Sequence, residues 1–239
     1  MSDFLLRTFV FVVLPLLLAA LTVALDKSAR SHERRIEVFL VYMFALGAAA
    51  GISNWAGHIF ASDQVAEAIG WAAGSPFQLE MGFANLSYGI LAIVAMSRRD
   101  GFREATVIGA AVMSIGATVV HFWDIAATGN LAPGNTVQNV INLVRPALLI
   151  GLLMASRRAE RLPGSEVASL AFARWQGTIV AVAGPIATLV GIGIGVGLAF
   201  GQPLLGTMIG LVIGAAFGVF HRSRLLRAEA VVAQQSSSA

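Results

Sequence analysis

The 239-residue chain has no cysteine, a single lysine (Lys27) and little charge of either sign, since Lys, Arg, Asp and Glu together make 12% of it. Without cysteine there is no disulfide, no thiolate nucleophile and no Cys-bound metal. An ordinary soluble domain carries about 25% charged residues. Charge this dilute, with 57% hydrophobic residues and a mean hydropathy of +0.78, excludes a disordered chain, a nucleic-acid-binding domain and a conventional soluble enzyme. The net charge of +3 points to no nucleic-acid partner either, because the basic residues fall where membrane topology places them.

A membrane-crossing helix needs roughly 20 apolar residues. Seven stretches qualify, at about 4–25, 37–60, 77–96, 105–127, 136–155, 177–200 and 203–220. The expected class is therefore an all-α polytopic membrane bundle whose solvent is the lipid bilayer. The connections around 26–36, 97–104 and 156–176 and the tail from 221 to 239 hold fourteen of the sixteen cations, and the alternate connections hold none. Basic residues favour the cytoplasmic side, so the N-terminus is expected outside and the C-terminus in the cytoplasm of an inner (plasma) membrane. A cleaved signal peptide at the N-terminus would invert this charge pattern. Trp55, Trp71 and Trp123 are expected near the outer interface and Trp175 near the inner one. A short interfacial helix is expected from Ser62, as N-cap, to Gly70, with Pro76 starting the third span.

The chain divides into a first span with its basic loop (1–36), a four-helix core (37–155), a second basic loop (156–176), a glycine-rich hairpin (177–220) and the tail. Glycine recurs at every fourth position of the last span, at Gly206, Gly210, Gly214 and Gly218, a spacing that lets helix backbones approach closely. The stripe reads as the seam of the hairpin itself, or as a surface for a homo-oligomer or a partner in a membrane complex.

Polar residues concentrate in the core spans: Asn54, His58, Gln78, Glu80, Asn85, His121, Asp124, Gln138, Asn139, Asn142 and Arg145. With alternating helix directions, all four core helices place these residues in the outer half of the membrane. Asn54 and His58 share a face at i,i+4, His121 and Asp124 at i,i+3, and Gln138, Asn142 and Arg145 form an i, i+4, i+7 stripe. Gln78 and Asn85, seven apart, also share a face, whereas Glu80 and Asn85 do not. Arg145 lies about 13 Å along its helix at 1.5 Å per residue. Ionised groups inside a bilayer are costly and usually paired, so Arg145 is expected to meet Asp124 or Glu80. The candidates for a ligand or proton-relay site are thus His58, Gln78, Glu80, Asn85, His121, Asp124, Asn142 and Arg145. The competing reading is an ion pair and hydrogen bonds that merely set helix register.

His58, Glu80, His121 and Asp124 together would make a first shell for a divalent transition metal. Haem ligation by His58 and His121 lacks the support of further paired histidines. Ser75, Ser87 and Ser114 lack the Gly-x-Ser-x-Gly context of a hydrolase nucleophile. Retinal is excluded, because Lys27 lies in a loop rather than in the last span. The site accordingly reads as a place to bind or transport a cation, a proton or a small ligand. A membrane enzyme acting on a lipid or quinone, and an accessory subunit of a larger complex, are the alternatives.

The runs Gly57-His58-Ile59-Phe60, Ile69-Gly70-Trp71-Ala72-Ala73-Gly74-Ser75-Pro76-Phe77-Gln78-Leu79-Glu80, Phe83-Ala84-Asn85-Leu86 and Asn130-Leu131-Ala132-Pro133-Gly134-Asn135 resemble a bacterial family of small multi-pass membrane proteins defined only as a domain of unknown function. The likeness covers roughly residues 37–155 and leaves out the glycine-rich hairpin. It implies that His58, Gln78, Glu80, Asn85 and His121 belong to the family pattern, and it implies no activity. The four-span core is more distantly similar to DoxX-like membrane proteins.

Overall fold

In the computed structural model, which describes residues 6–237, all regular structure is helical. Residues 4 and 5 of the expected first span and the last two residues of the tail lie outside the described residues. After a π-helical turn at Phe9–Val13 come α1 (Leu14–Leu25), α2 (His32–Phe60), α3 (Ser62–Ile69), α4 (Phe77–Ser97), α5 (Gly101–Thr128), the single turn α6 (Pro133–Thr136), α7 (Gln138–Glu160), α8 (Leu170–Ala199) and α9 (Pro203–Ser237). Seven of the helical stretches are long and apolar enough to cross a membrane. In such a bundle each span satisfies its own backbone hydrogen bonds.

The helices run past their apolar windows into the charged connections. Arg and Glu propagate a helix well, and side-chain caps start each extension. Ser31 accepts from Arg34 N at 3.3 Å, Asp100 from Phe102 N at 3.1 Å and Ser169 from Phe172 N at 3.1 Å. Three of the expected basic loops are therefore shorter than the hydropathy suggests. The expected tail is largely a continuation of α9. The interfacial helix forms, but Ser62 is its first helical residue and not its cap. Ala61 takes that position without a side-chain bond. Gly70 ends it in the left-handed region at φ 79°, where a residue with a Cβ would be strained and would also strike the Asn130 amide.

The central helix is α2, most of whose membrane stretch is buried, with α1, α4, α7 and α8 packed around it. Small residues make this possible. A Cβ at Gly51 would lie 2.6 Å from Gly89 Cα, and one at Gly191 would lie 3.2 Å from Ala49 Cα. The hairpin α8–α9 closes more tightly still. Gly206, Gly210, Gly214 and Gly218 all face α8, against Gly193, Leu189, Ile186 and Val182 respectively. The glycine stripe is thus occupied within the chain, and the outer face of α9 presents Leu205, Met208, Val212, Phe217 and Val219 instead.

On the face where the arginines collect, Glu37 of α2 and Arg103 of α5 form a two-pronged ion pair, 2.8 and 2.9 Å, with 2% and 1% of each residue exposed. Gln176 of α8 donates to the same Glu37 carboxylate at 2.8 Å and to Met96 O at 3.1 Å. Arg103 also donates to Ala95 O and Met96 O, and its guanidinium lies over the Phe44 ring. Counted as a loop cation by the charge pattern, Arg103 is instead a buried clamp joining α2, α4, α5 and α8. Nearer the surface, Glu166 accepts from Arg34 at 2.8 and 2.9 Å and Arg157 reaches Glu104 and Glu160.

Glu37→Gln leaves the Arg103 charge buried without its counter-ion, which costs roughly 3–5 kcal/mol. The expected result is a large fall in thermal stability in detergent, mostly recovered in Glu37→Met/Arg103→Met. The Arg34 guanidinium beside Glu166 holds that carboxyl below its ordinary range. The contact therefore stabilises fully above the free-glutamate pKa of about 4.3 and is lost as pH falls through the lowered folded value. Glu166→Gln should lower the melting temperature near neutrality and converge on the parent protein in acid.

Candidate functional site

The eight candidate residues separate into three groups. The first is a rung between α2 and α4. Residues 54 and 58 share one face of α2, residues 78 and 85 one face of α4, and the helices run antiparallel. His58 Nδ1 lies 2.7 Å from Gln78 Oε1, and Asn54 Nδ2 donates to Asn85 Oδ1 at 3.3 Å. Gln78 is buried and offers His58 a carbonyl oxygen, so the imidazole donates from Nδ1.

The second group is a knot at the N-terminal face, where α5 ends. Asp124 accepts from Trp71 Nε1 at 2.9 Å, Asn130 Nδ2 at 2.7 Å, Asn135 Nδ2 at 2.9 Å and Thr128 Oγ1 at 3.2 Å. Because the Asn135 amide nitrogen is committed to Asp124 and to Asn130 O, its oxygen is the partner of His121 Nδ1, at 2.7 Å. His121 also stacks on Trp71, with ring centroids 5.5 Å apart. Asn130 additionally donates to Ile69 O, which ties the loop after α5 to the end of α3. The knot fastens the 129–136 loop over the bundle.

The expected metal shell is not assembled. Among the described residues no three of His, Asp and Glu gather in a way that could hold a metal ion. His58 and His121 each bond to an amide, Asp124 is engaged by four donors, and Glu80 points out of the bundle with no ion-pair partner among the described residues. Nor does Arg145 meet Asp124 or Glu80, the partners its burial suggested. Asp124 is held at the rim by the knot, and Glu80 sits on an exposed face of α4.

Arg145 belongs to the third group, a cavity between α2, α4, α5, α7 and the start of the first span. The space between atoms there, open mouth included, is about 670 Å³. Its polar lining is Arg7, Asn54, Asn85, Tyr88, Ser114, Gln138, Asn142 and Arg145, and no described lining residue is acidic. Gly47 makes room for the guanidinium, since a Cβ there would lie 3.3 Å from Arg145 Nη2. The amides are oriented by their own bonds. Asn85 donates to Met81 O, and Asn142 accepts from Gln138 Nε2 at 3.4 Å, which leaves the Asn142 N–H groups to serve as donors. The cavity thus combines two permanent positive charges with neutral amide and hydroxyl groups.

Sequence reading missed Arg7, Tyr88 and Ser114 as lining residues, and Asn130 and Asn135 as the partners of Asp124. One signal was present. Of sixteen cations, the two that the loop-charge alternation leaves over are Arg7 and Arg145, and both line this cavity.

Fold and site together define a multi-pass, all-helical membrane protein with a polar cavity among its spans. The chain belongs to a family of unknown function, DUF6790, which it matches over residues 6–162. No curated protein and no solved structure matches it. The match is to an uncharacterised family, as expected, but it starts at the first helix rather than at α2, and no match links the chain to DoxX-like proteins. It takes in every residue lining the Arg145 cavity and stops before the hairpin.

Asp124→Asn puts an amide N–H among the donors of Trp71, Asn130 and Asn135. The expected result is a lower unfolding midpoint, because a carboxylate that accepts from four donors is replaced by a group with a single acceptor oxygen. Thermal unfolding followed by tryptophan emission checks it; an unchanged midpoint would mean that the knot does not hold the loop.

Proposed function

We propose that this protein binds a small anionic ligand within the membrane, in the cavity lined by Arg7 and Arg145. The observation that carries the reading is the Arg145 guanidinium, set in a cavity whose described lining holds no carboxylate. An arginine deep in a spanning helix is costly unless its charge is answered, and no described side chain pairs with Arg145. A planar guanidinium flanked by amide N–H groups suits an oxyanion, because it offers parallel donors to two oxygens. A cation or an excess proton would be repelled from the same lining.

With the basic face in the cytoplasm of the plasma membrane, the cavity lies in the half of the bilayer away from the cytoplasm. His58, Gln78, Glu80, His121 and Asp124 are then supports or rim residues, and Asn85, Asn142 and Arg145 are ligand contacts. An enzymatic reading lacks a formed acid–base pair, since His58 and His121 both engage amides.

Equilibrium binding of butyl phosphate and butyrate to protein in lipid nanodiscs tests the proposal. Arg145→Gln should weaken the tighter of the two at least about tenfold, or 1.4 kcal/mol. Arg145→Lys, which keeps charge without the fork, should fall between. Failure of the parent protein to bind either anion, or full binding by Arg145→Gln, overturns the reading.

A further inference from the structure

A second cavity abuts the first. Its space between atoms, open mouth included, is about 530 Å³, and it shares Arg7, Phe11 and Asn54 with the Arg145 cavity. Its remaining lining is mostly apolar: Leu6 and Val10 from the first span, Ile194 and Leu198 from α8, and Pro203 at the start of α9. Ser53 and Thr207 also line it, but each hydroxyl donates to a carbonyl of its own helix, Ala50 O at 3.1 Å and Pro203 O at 2.7 Å. Beyond the shared edge the groove therefore offers a ligand apolar contact and no free hydroxyl proton.

The two cavities lie side by side, one cationic and amide-lined, the other greasy, with Arg7, Phe11 and Asn54 lining both. A wholly polar anion would leave the groove without a complement, and a wholly apolar molecule would leave Arg145 without one. We infer that the ligand is a single-chain anionic amphiphile, with its phosphate or carboxylate head against Arg145 and its hydrocarbon chain along Ile194 and Leu198. This rests on the anion-binding reading above and specifies the substrate class of the same site.

Part of the chain wall has a separate origin from the head site. Residues 194, 198, 203 and 207 all lie in the α8–α9 hairpin, beyond the part of the chain that matches the family, whereas every residue of the head site lies inside it. The hairpin thus adds one side of the groove, completed by Leu6 and Val10 of the family portion, to an anion site that the family portion builds alone. Its glycine seam serves that end, because close apposition of α8 and α9 fixes Pro203 and Thr207 opposite Ile194 and Leu198.

The test measures binding of n-alkyl phosphates and n-alkyl carboxylates, from butyl to dodecyl, to full-length protein in phosphatidylcholine nanodiscs, referred to free aqueous ligand. In the parent protein affinity should rise roughly three- to fourfold per added methylene, the increment for burying one CH₂. Leu198→Trp, which fills the groove, should flatten that dependence while leaving butyl binding within about twofold of the parent, and Ile194→Phe should flatten it in part. Two groove fillers that both keep the full chain-length dependence would place the chain in the bilayer rather than in the groove. The inference would then fall while the head-group reading stood. Chain-length dependence that survives Arg145→Gln with butyl binding unchanged would remove the head-group reading instead.

Discussion

Close backbone approach to α2 is the constraint on which the rest of this structure depends. Its middle reads Gly47-Ala48-Ala49-Ala50-Gly51, and the neighbouring helices use that smoothness in different ways. Against Gly51, α4 brings Gly89 to backbone contact; against Ala49, α8 brings Gly191. In a bilayer, where lipid is as apolar as any side chain, such contacts and the interhelical hydrogen bonds they permit are the main source of association. Gly47 has a different consequence. Its missing side chain leaves the space that the Arg145 guanidinium faces. The helix around which the bundle packs thus also makes room for the cavity.

The two buried charge arrangements contrast. At the basic face, Glu37, Arg103 and Gln176 satisfy one another and two backbone carbonyls, so the cluster is closed and rigid. Toward the opposite face, Arg145 and Arg7 border an open space among neutral amides. A fully satisfied buried network fixes helix positions. A charge facing a cavity instead supplies binding energy to whatever answers it. The difference in satisfaction, rather than in residue type, separates Arg103 from Arg145.

Periodicity made part of the site legible. Asn54 and His58 on one helix and Gln78 and Asn85 on the next do form facing rungs, because residues on one stripe of each antiparallel helix must meet if those stripes meet at all. The charge partners were not legible. Sign and depth make Asp124 or Glu80 the expected partner of Arg145, yet Trp71, Asn130 and Asn135 engage Asp124 from connections whose path no helical period describes. Arg103 was read as a loop cation because it follows a charged turn. Its partner Glu37 lies 66 residues away, and Gln176, which donates to the same carboxylate, lies 139 residues from Glu37.

Residence in a membrane, the all-helical class and the seven spans follow from the sequence alone, since hydropathy and backbone hydrogen bonding act within each segment and need no neighbour. Which polar groups pair, which arginine is clamped and which faces a cavity were decided only in the tertiary structure. Those outcomes depend on the rotation of each helix about its axis and on how closely glycines let two backbones come. Both are properties of pairs of helices rather than of either one.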